Sequence, residues 1–162
     1  MWLRLILGII YLGMAVGQTL SAAAMPGIIG AYDVVPGPLL IPFVVVLIAA
    51  EAVTGLWLLA RPRSTSLTPV WMYAGVSMVW TILAVQAFAR GLDIANCGCF
   101  GVYLVQPLRW WVLLEDGLLL VYAVIMVRSS LRLRAAPRPI ATESGSVHSF
   151  TESWPGRDLL SD

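Results

Sequence analysis

Four long apolar segments, separated by short polar connections, dominate the pattern along the chain. They run from about Leu3 to Ala24, Leu39 to Ala60, Pro69 to Ala89 and Trp110 to Val127. A helix needs about 20 apolar residues to cross a bilayer, and each segment is close to that length. The runs are too continuous for half-buried strands, and an open sheet edge cannot lie in lipid. The pattern therefore predicts an all-α integral membrane protein, a four-transmembrane-helix antiparallel bundle.

The composition supports a membrane location. Of the 162 residues, 59% are hydrophobic and 12% are charged, whereas soluble domains carry about 25% charged residues. The net charge of +1 lacks the excess of basic residues that binding to nucleic acid requires. We expect the lipid bilayer, and no nucleic acid, among the partners.

The arginines predict the orientation, because the chain contains no lysine and cytoplasmic loops are enriched in basic residues. Only Arg90 and Arg109 flank one side of the predicted bundle. Seven arginines would share the other side: Arg4, Arg61, Arg63, Arg128, Arg132, Arg134 and Arg138. This predicts a multi-pass protein of a bacterial inner membrane, with both termini cytoplasmic and loops 25–38 and 90–109 outside.

The N-terminal segment has a second interpretation. Arg4, the apolar run and the stretch SAAAM resemble a signal peptide with a small-residue cleavage site. Gly13, Gly17 and Ser21 instead form a small-xxx-small ridge, which favours a retained helix that packs closely on a neighbour. Both interpretations leave loop 90–109 outside.

The character of the chain changes after the fourth apolar segment. We assign residues 1–128 to the transmembrane domain and residues 129–162 to a basic juxtamembrane stretch with a disordered cytoplasmic tail. The arginines before Pro139 would lie against anionic headgroups, and the polar, Ser/Thr-rich remainder cannot bury an apolar core.

Five carboxyl and amide side chains fall within the spans, where polar groups are costly. Glu51 lies past the middle of the second span, and Glu115 and Asp116 lie about two turns into the fourth. One of these adjacent carboxyls could face inward and accept a proton from a thiol or pass one to a carrier. Gln18 and Gln86 are expected mainly to hold helices together.

The two cysteines of the chain, Cys97 and Cys99, fall in one predicted loop. Residues two apart reach disulfide distance only in a tight, strained turn, which glycine permits, and strain makes a disulfide easier to reduce. Three interpretations fit the spacing: a redox-active pair, a soft-metal site for copper, zinc or mercury, and a structural staple or two inert thiols. The supporting residues expected around the pair are Asn96, Gly98, Phe100 and Gly101.

Residues 90–101, RGLDIANCGCFG, follow the third span and resemble the CGCFG signature of the MauE family, the methylamine-utilisation membrane proteins related to DoxX. Further matches are Pro26 followed by Tyr32, Glu51 with Gly55, and the acidic position Asp116. The resemblance covers about residues 1–127. The family often carries a lysine near the end of the first helix, where Gln18 is the nearest polar residue here.

The resemblance implies a four-helix inner-membrane protein that supports maturation of the disulfide-rich small subunit of methylamine dehydrogenase, beside a thioredoxin-like partner. Cys97 and Cys99 would be the redox pair, and Glu51 and Asp116 the intramembrane acidic positions.

We expect a thiol–disulfide relay with a thioredoxin-like extracytoplasmic protein or its dithiol client. A membrane quinone is the expected electron carrier, entering near Glu115, Asp116 and Gln86, which would make the protein a quinone-linked oxidoreductase. The alternatives are soft-metal binding or transport through Cys97 and Cys99, and a non-catalytic membrane assembly factor.

Overall fold

The computed structural model describes residues 2–64 and 66–135. These residues form five α-helices and no strand. The helices are α1 (Trp2–Leu20), α2 (Met25–Gly30), α3 (Gly37–Ala60), α4 (Thr68–Ala89) and α5 (Trp110–Ala135). Within the described part, α1, α3, α4 and α5 are long and apolar enough to cross a membrane. The prediction of an all-helical, multi-pass membrane protein is confirmed.

Two predicted boundaries were wrong. The first span ends at Leu20, four residues before Ala24, and the chain then turns into the short helix α2, which the apolar pattern did not separate from α1. The fourth span continues past Val127, because α5 extends to Ala135. A helix can leave the bilayer without a break, so the arginines that mark the membrane boundary do not end it. Of the predicted juxtamembrane stretch and disordered tail, residues 129–162, the part from residue 136 onward lies outside the described residues.

Close packing between α1 and α3 depends on two glycines. A Cβ atom on Gly55 would lie 2.8 Å from the backbone N of Leu12, and one on Gly8 would lie 3.2 Å from the carbonyl oxygen of Gly55. These two residues let the helix backbones approach each other. The ridge of Gly13, Gly17 and Ser21 does not serve this contact between helices.

The long helices pack in sequence, α1 on α3, α3 on α4 and α4 on α5. Among the described residues, α1 and α5 are joined where Arg4 donates one hydrogen bond to the Ser130 hydroxyl at 2.8 Å and another to the Ser64 carbonyl. We call this the arginine end of the bundle. The opposite end, where α4 ends and α5 begins, is the loop end.

Candidate functional site

The segment between α4 and α5 folds over the loop end of the bundle. Its two arms are held together by backbone hydrogen bonds. The Cys97 N–H donates to the Gln106 carbonyl at 2.8 Å, and the Leu108 N–H donates to the Ile94 carbonyl at 2.9 Å. Residues 94–108 therefore form a closed loop, which we call the cysteine loop.

A tight turn inside this loop depends on Asn96 and two glycines. The Asn96 side chain accepts a hydrogen bond from the Gly98 N–H at 3.1 Å and donates one to the Gly101 carbonyl at 2.8 Å. Gly98 and Gly101 have φ angles of 86° and 65°, a region that residues with a Cβ atom rarely adopt. A Cβ on Gly101 would also lie 1.8 Å from the Ser21 hydroxyl oxygen. Asn96 thus shapes the turn and does not itself contact the sulfurs.

The turn brings the two sulfurs together. The Sγ atoms of Cys97 and Cys99 are 3.4 Å apart, and both residues are free cysteines. Cys97 is buried, with 2% of its surface exposed, whereas Cys99 is half-buried. A disulfide of about 2.05 Å requires only a small further approach.

The hydrogen bond between the two thiols shifts their pKa values in opposite directions. The side-chain hydrogen bond with Cys99 lowers the pKa of Cys97, against burial, and a hydrogen bond with the Cys99 backbone acts in the same direction. The same side-chain interaction, together with burial, raises the pKa of Cys99 well above its ordinary value. Cys97 is therefore the more acidic thiol of the reduced pair, and Cys99 is the thiol that holds its proton more tightly.

Both cysteine carbonyls are anchored to the helices. The Tyr32 hydroxyl, which follows α2, donates to the Cys97 carbonyl at 2.9 Å. The Gln18 side chain of α1 donates to the Cys99 carbonyl, also at 2.9 Å. The pair is thus held in place by two separate elements.

Gln18 also connects the loop to a buried polar cluster. The Trp80 indole N–H donates to Glu51 Oε1 at 2.6 Å, and the Gln18 side chain lies beside the same carboxyl. Among the described residues, Gln18 Oε1, Glu51 Oε2 and Thr54 Oγ1 are buried without a hydrogen-bond partner. A protonated Glu51 that donates from Oε2 to Gln18 Oε1 would satisfy two of these three atoms.

The two carboxyls of α5 have different surroundings. Asp116 is buried and faces the bundle interior, whereas Glu115 is exposed and accepts a hydrogen bond from the Gln106 side chain at 3.0 Å. Asp116 is therefore the inward carboxyl of the pair. Gln106 links α5 to the cysteine loop, because its backbone carbonyl holds Cys97.

A cavity of about 520 Å³ separates α1 from α5. Cys99, Asp116 and Trp80 line it toward the loop end, and apolar side chains of α1, from Met14 to Leu3, line it toward the arginine end. Cys99 and Asp116 were predicted from the sequence, and the cavity brings them together. Glu51 contacts the site through Trp80.

Gln86 lies outside the cavity, whereas Phe100 lines it and also contacts α1. Gln86 donates to the Tyr32 carbonyl at 3.0 Å, so it supports the segment after α2 and does not line the cavity. Phe100 packs onto α1, where a Cβ on Gly17 would lie 2.6 Å from the Phe100 carbonyl oxygen. The small residues Gly17 and Ser21 receive the cysteine loop.

Sequence reasoning missed the part that Trp80 plays in the site. Its indole forms both a wall of the cavity and the hydrogen-bond partner of Glu51. The available signal was the position of an indole N–H deep in an apolar span, where it requires a buried acceptor.

The metal interpretation lacks further ligands in this region. Within residues 2–64 and 66–135, no group of three or more His, Cys, Asp and Glu side chains is placed to share a metal ion. A soft metal held by Cys97 and Cys99 would need its remaining ligands from a partner or from outside the described residues.

A family model for the methylamine utilisation protein MauE matches residues 1–129. The match covers α1 to α4, most of α5 and the whole cysteine loop. No curated protein and no solved structure matches this chain.

Proposed function

This chain belongs to the MauE family, and we propose that it is a thiol–disulfide relay in which Cys97 and Cys99 alternate between dithiol and disulfide. The observation that carries the proposal is the 3.4 Å separation of the two Sγ atoms in a loop anchored at both cysteine carbonyls. Inert thiols do not require such a turn, with two glycines at positive φ.

The different surroundings of the sulfurs suggest the order of exchange. A partner thiolate attacks Cys99, the less buried residue of the two, and Cys97 leaves, because a thiol of lower pKa leaves faster. The hydrogen bond from the Cys99 backbone to the Cys97 sulfur remains while the Cys99 sulfur is bound to the partner. The second thiolate of the same partner then attacks the partner's sulfur in the mixed disulfide and releases Cys99. The partner gains a disulfide, and the pair gains two electrons and becomes two thiols.

The family and the arginine distribution suggest the setting. The relay would operate at the outer side of a bacterial inner membrane, where disulfides persist, with a thioredoxin-like protein or its dithiol client as partner. A role in methylamine utilisation matches the description of the family, and the resemblance implies the disulfide-rich small subunit of methylamine dehydrogenase as the client.

Trapping tests this proposal. Protein acid-quenched from aerobic cells is expected to contain a Cys97–Cys99 disulfide that mild dithiol removes. Cys97→Ser should leave Cys99 to accumulate a mixed disulfide with an extracytoplasmic partner, and Cys99→Ser, which leaves the buried Cys97, should trap much less.

Two outcomes would contradict the relay. One is a pair that is always reduced and never crosslinks to a partner. The other is a pair protected from alkylation by stoichiometric copper or zinc, since metal binding needs both sulfurs as thiolates. The second outcome would establish the metal-binding alternative.

A further inference from the structure

The cavity between α1 and α5 is a candidate site for a lipid-soluble ligand. It lies between the membrane-spanning helices α1 and α5, which are joined at the arginine end through Arg4 and Ser130 and at the loop end through the cysteine loop. Its volume of about 520 Å³ is within the usual range of small-molecule sites. A ligand would enter from the hydrocarbon phase.

The lining indicates an elongated ligand with one polar end. Polar groups are concentrated toward the loop end, where Cys99, Asp116 and Gln106 contribute to the wall. The α1 side chains that line the cavity, between Leu3 and Met14, are apolar, and they cover about 16 Å along α1, at 1.5 Å per residue. A ligand would place a polar ring near Cys99 and an apolar tail toward the arginine end.

The charge of the residues that line the cavity restricts the charge that the polar end of the ligand can carry. Glu115 and Asp116 both contribute to the wall, and none of the described residues that line the cavity is basic. An anionic lipid headgroup would therefore be repelled at the loop end. A neutral headgroup that can accept hydrogen bonds and protons fits better.

We propose that this cavity binds a membrane quinone, which takes two electrons from the reduced Cys97–Cys99 pair. The inference rests on the proposed relay function, because a relay that oxidises its partner must itself be reoxidised. As the S–S bond forms, the two thiols lose two electrons and two protons. The quinone takes up the two electrons, its two carbonyl oxygens take up the two protons, and hydroquinone leaves.

Asp116 is the proton carrier in this scheme. It is buried and lines the same cavity as Cys99, which is the thiol that holds its proton more tightly in the reduced pair. Asp116 accepts that proton and passes it to a quinone oxygen, so its own charge is restored at the end of the cycle. Glu115, exposed and bound to Gln106, is the second carboxyl that faces this space.

Anaerobic reoxidation of the purified protein tests the proposal. The pair is reduced in phosphatidylcholine nanodiscs, the reductant is removed, and decylubiquinone is added. One hydroquinone is expected for each Cys97–Cys99 disulfide formed.

Two isoleucines of α1 provide a matched comparison. Ile6 lines the cavity and is 53% exposed, whereas Ile9, one turn away, does not line it and is 62% exposed. Ile6→Trp should block the cavity and slow reoxidation by about tenfold or more, because the ring loses its position near the thiols. Ile9→Trp should leave the rate unchanged. Asp116→Asn should slow the reaction by about a hundredfold without weakening decylubiquinone binding.

Dithiol exchange separates the two proposals, because exchange of the Cys97–Cys99 disulfide with dithiothreitol needs no quinone. A pair that exchanges with dithiothreitol but does not react with decylubiquinone, or equal reoxidation in Ile6→Trp and Ile9→Trp, would overturn the quinone site and leave the relay standing. A pair that never forms a disulfide would overturn the relay. Photoreactive azidoquinone then tests the site alone: labelling around Ile6 that unlabelled quinone displaces supports it, and labelling that only excess phospholipid displaces identifies a lipid site.

Discussion

Cys97 and Cys99 are two positions apart, but their surroundings give them different chemistry. The CGC pattern predicted a glycine-hinged pair from the sequence. It did not indicate which sulfur is buried, because Tyr32 and Gln18, which anchor the loop, are distant in sequence. The proposed role of Cys97 as the leaving group therefore depends on tertiary contacts.

The lowered pKa of Cys97 predicts a measurable difference between two substitutions. Cys99→Ser keeps a hydroxyl that can donate to the Cys97 sulfur, whereas Cys99→Ala removes this donor and leaves burial, which raises the pKa of Cys97. A higher pKa means that the thiolate forms at higher pH. Iodoacetamide alkylation of Cys97 should reach its half-maximal rate at higher pH in Cys99→Ala than in Cys99→Ser. Coincident pH profiles would show that the Cys99 side chain does not set the pKa.

Gly17 provides a second test at single-residue scale. A Cβ at this position would lie 2.6 Å from the Phe100 carbonyl oxygen, whereas one on Gly13 would meet only the Phe100 ring at 3.7 Å. Gly17→Ala should displace the cysteine loop and slow dithiol exchange of the pair by about tenfold. Gly13→Ala should leave the rate near that of the wild type. If both variants exchange like the wild type, the contact with α1 does not position the sulfurs.

At the scale of helices, the four spans were predictable because lipid requires long, continuous apolar runs. Their packing partners were not, because small residues occur on several faces of α1. The sequence pattern favoured Gly13, Gly17 and Ser21 for contact with a helix. The closest approach between helices instead uses Gly8 and Gly55. A pattern of small residues predicts a close contact without identifying which segment of the chain makes that contact.

The α1–α3 contact predicts a stability difference between two glycines. A Cβ on Gly55 would lie 2.8 Å from the Leu12 backbone N, and one on Gly75 of α4 would meet nothing within 4 Å. Gly55→Ala should destabilise the bundle by about 1–3 kcal/mol through overpacking. Gly75→Ala should be neutral or slightly stabilising, since alanine is the better helix former. Thermal unfolding in detergent compares the two, and an unfolding temperature for Gly55→Ala at or above that of Gly75→Ala would contradict this account of the interface.

At the scale of the whole molecule, the cysteine pair, the buried polar cluster and the cavity meet at the loop end. The sequence identified Cys99, Glu51, Gln18 and Asp116 one by one. Their convergence depends on the gap between α1 and α5, which no local pattern encodes. Trp80 joins the parts, because its indole contacts both Glu51 and the cavity.

The orientation of the bundle gives the last prediction. Arg4, Arg61 and Arg63 lie at the arginine end, and a preference of basic residues for the cytoplasm places the cysteine loop outside. Cys97 is too buried to report on this, so the test uses two exposed positions in a chain with both native cysteines replaced by serine. Tyr103, in the cysteine loop, is 67% exposed, and Arg63, in the connection between α3 and α4, is also exposed. A maleimide that cannot cross membranes should label Tyr103→Cys in intact cells, and Arg63→Cys only after the membrane is opened. The reverse pattern would place the pair in the reducing cytoplasm, where a stable disulfide is not expected, and the relay would have to operate in the opposite direction.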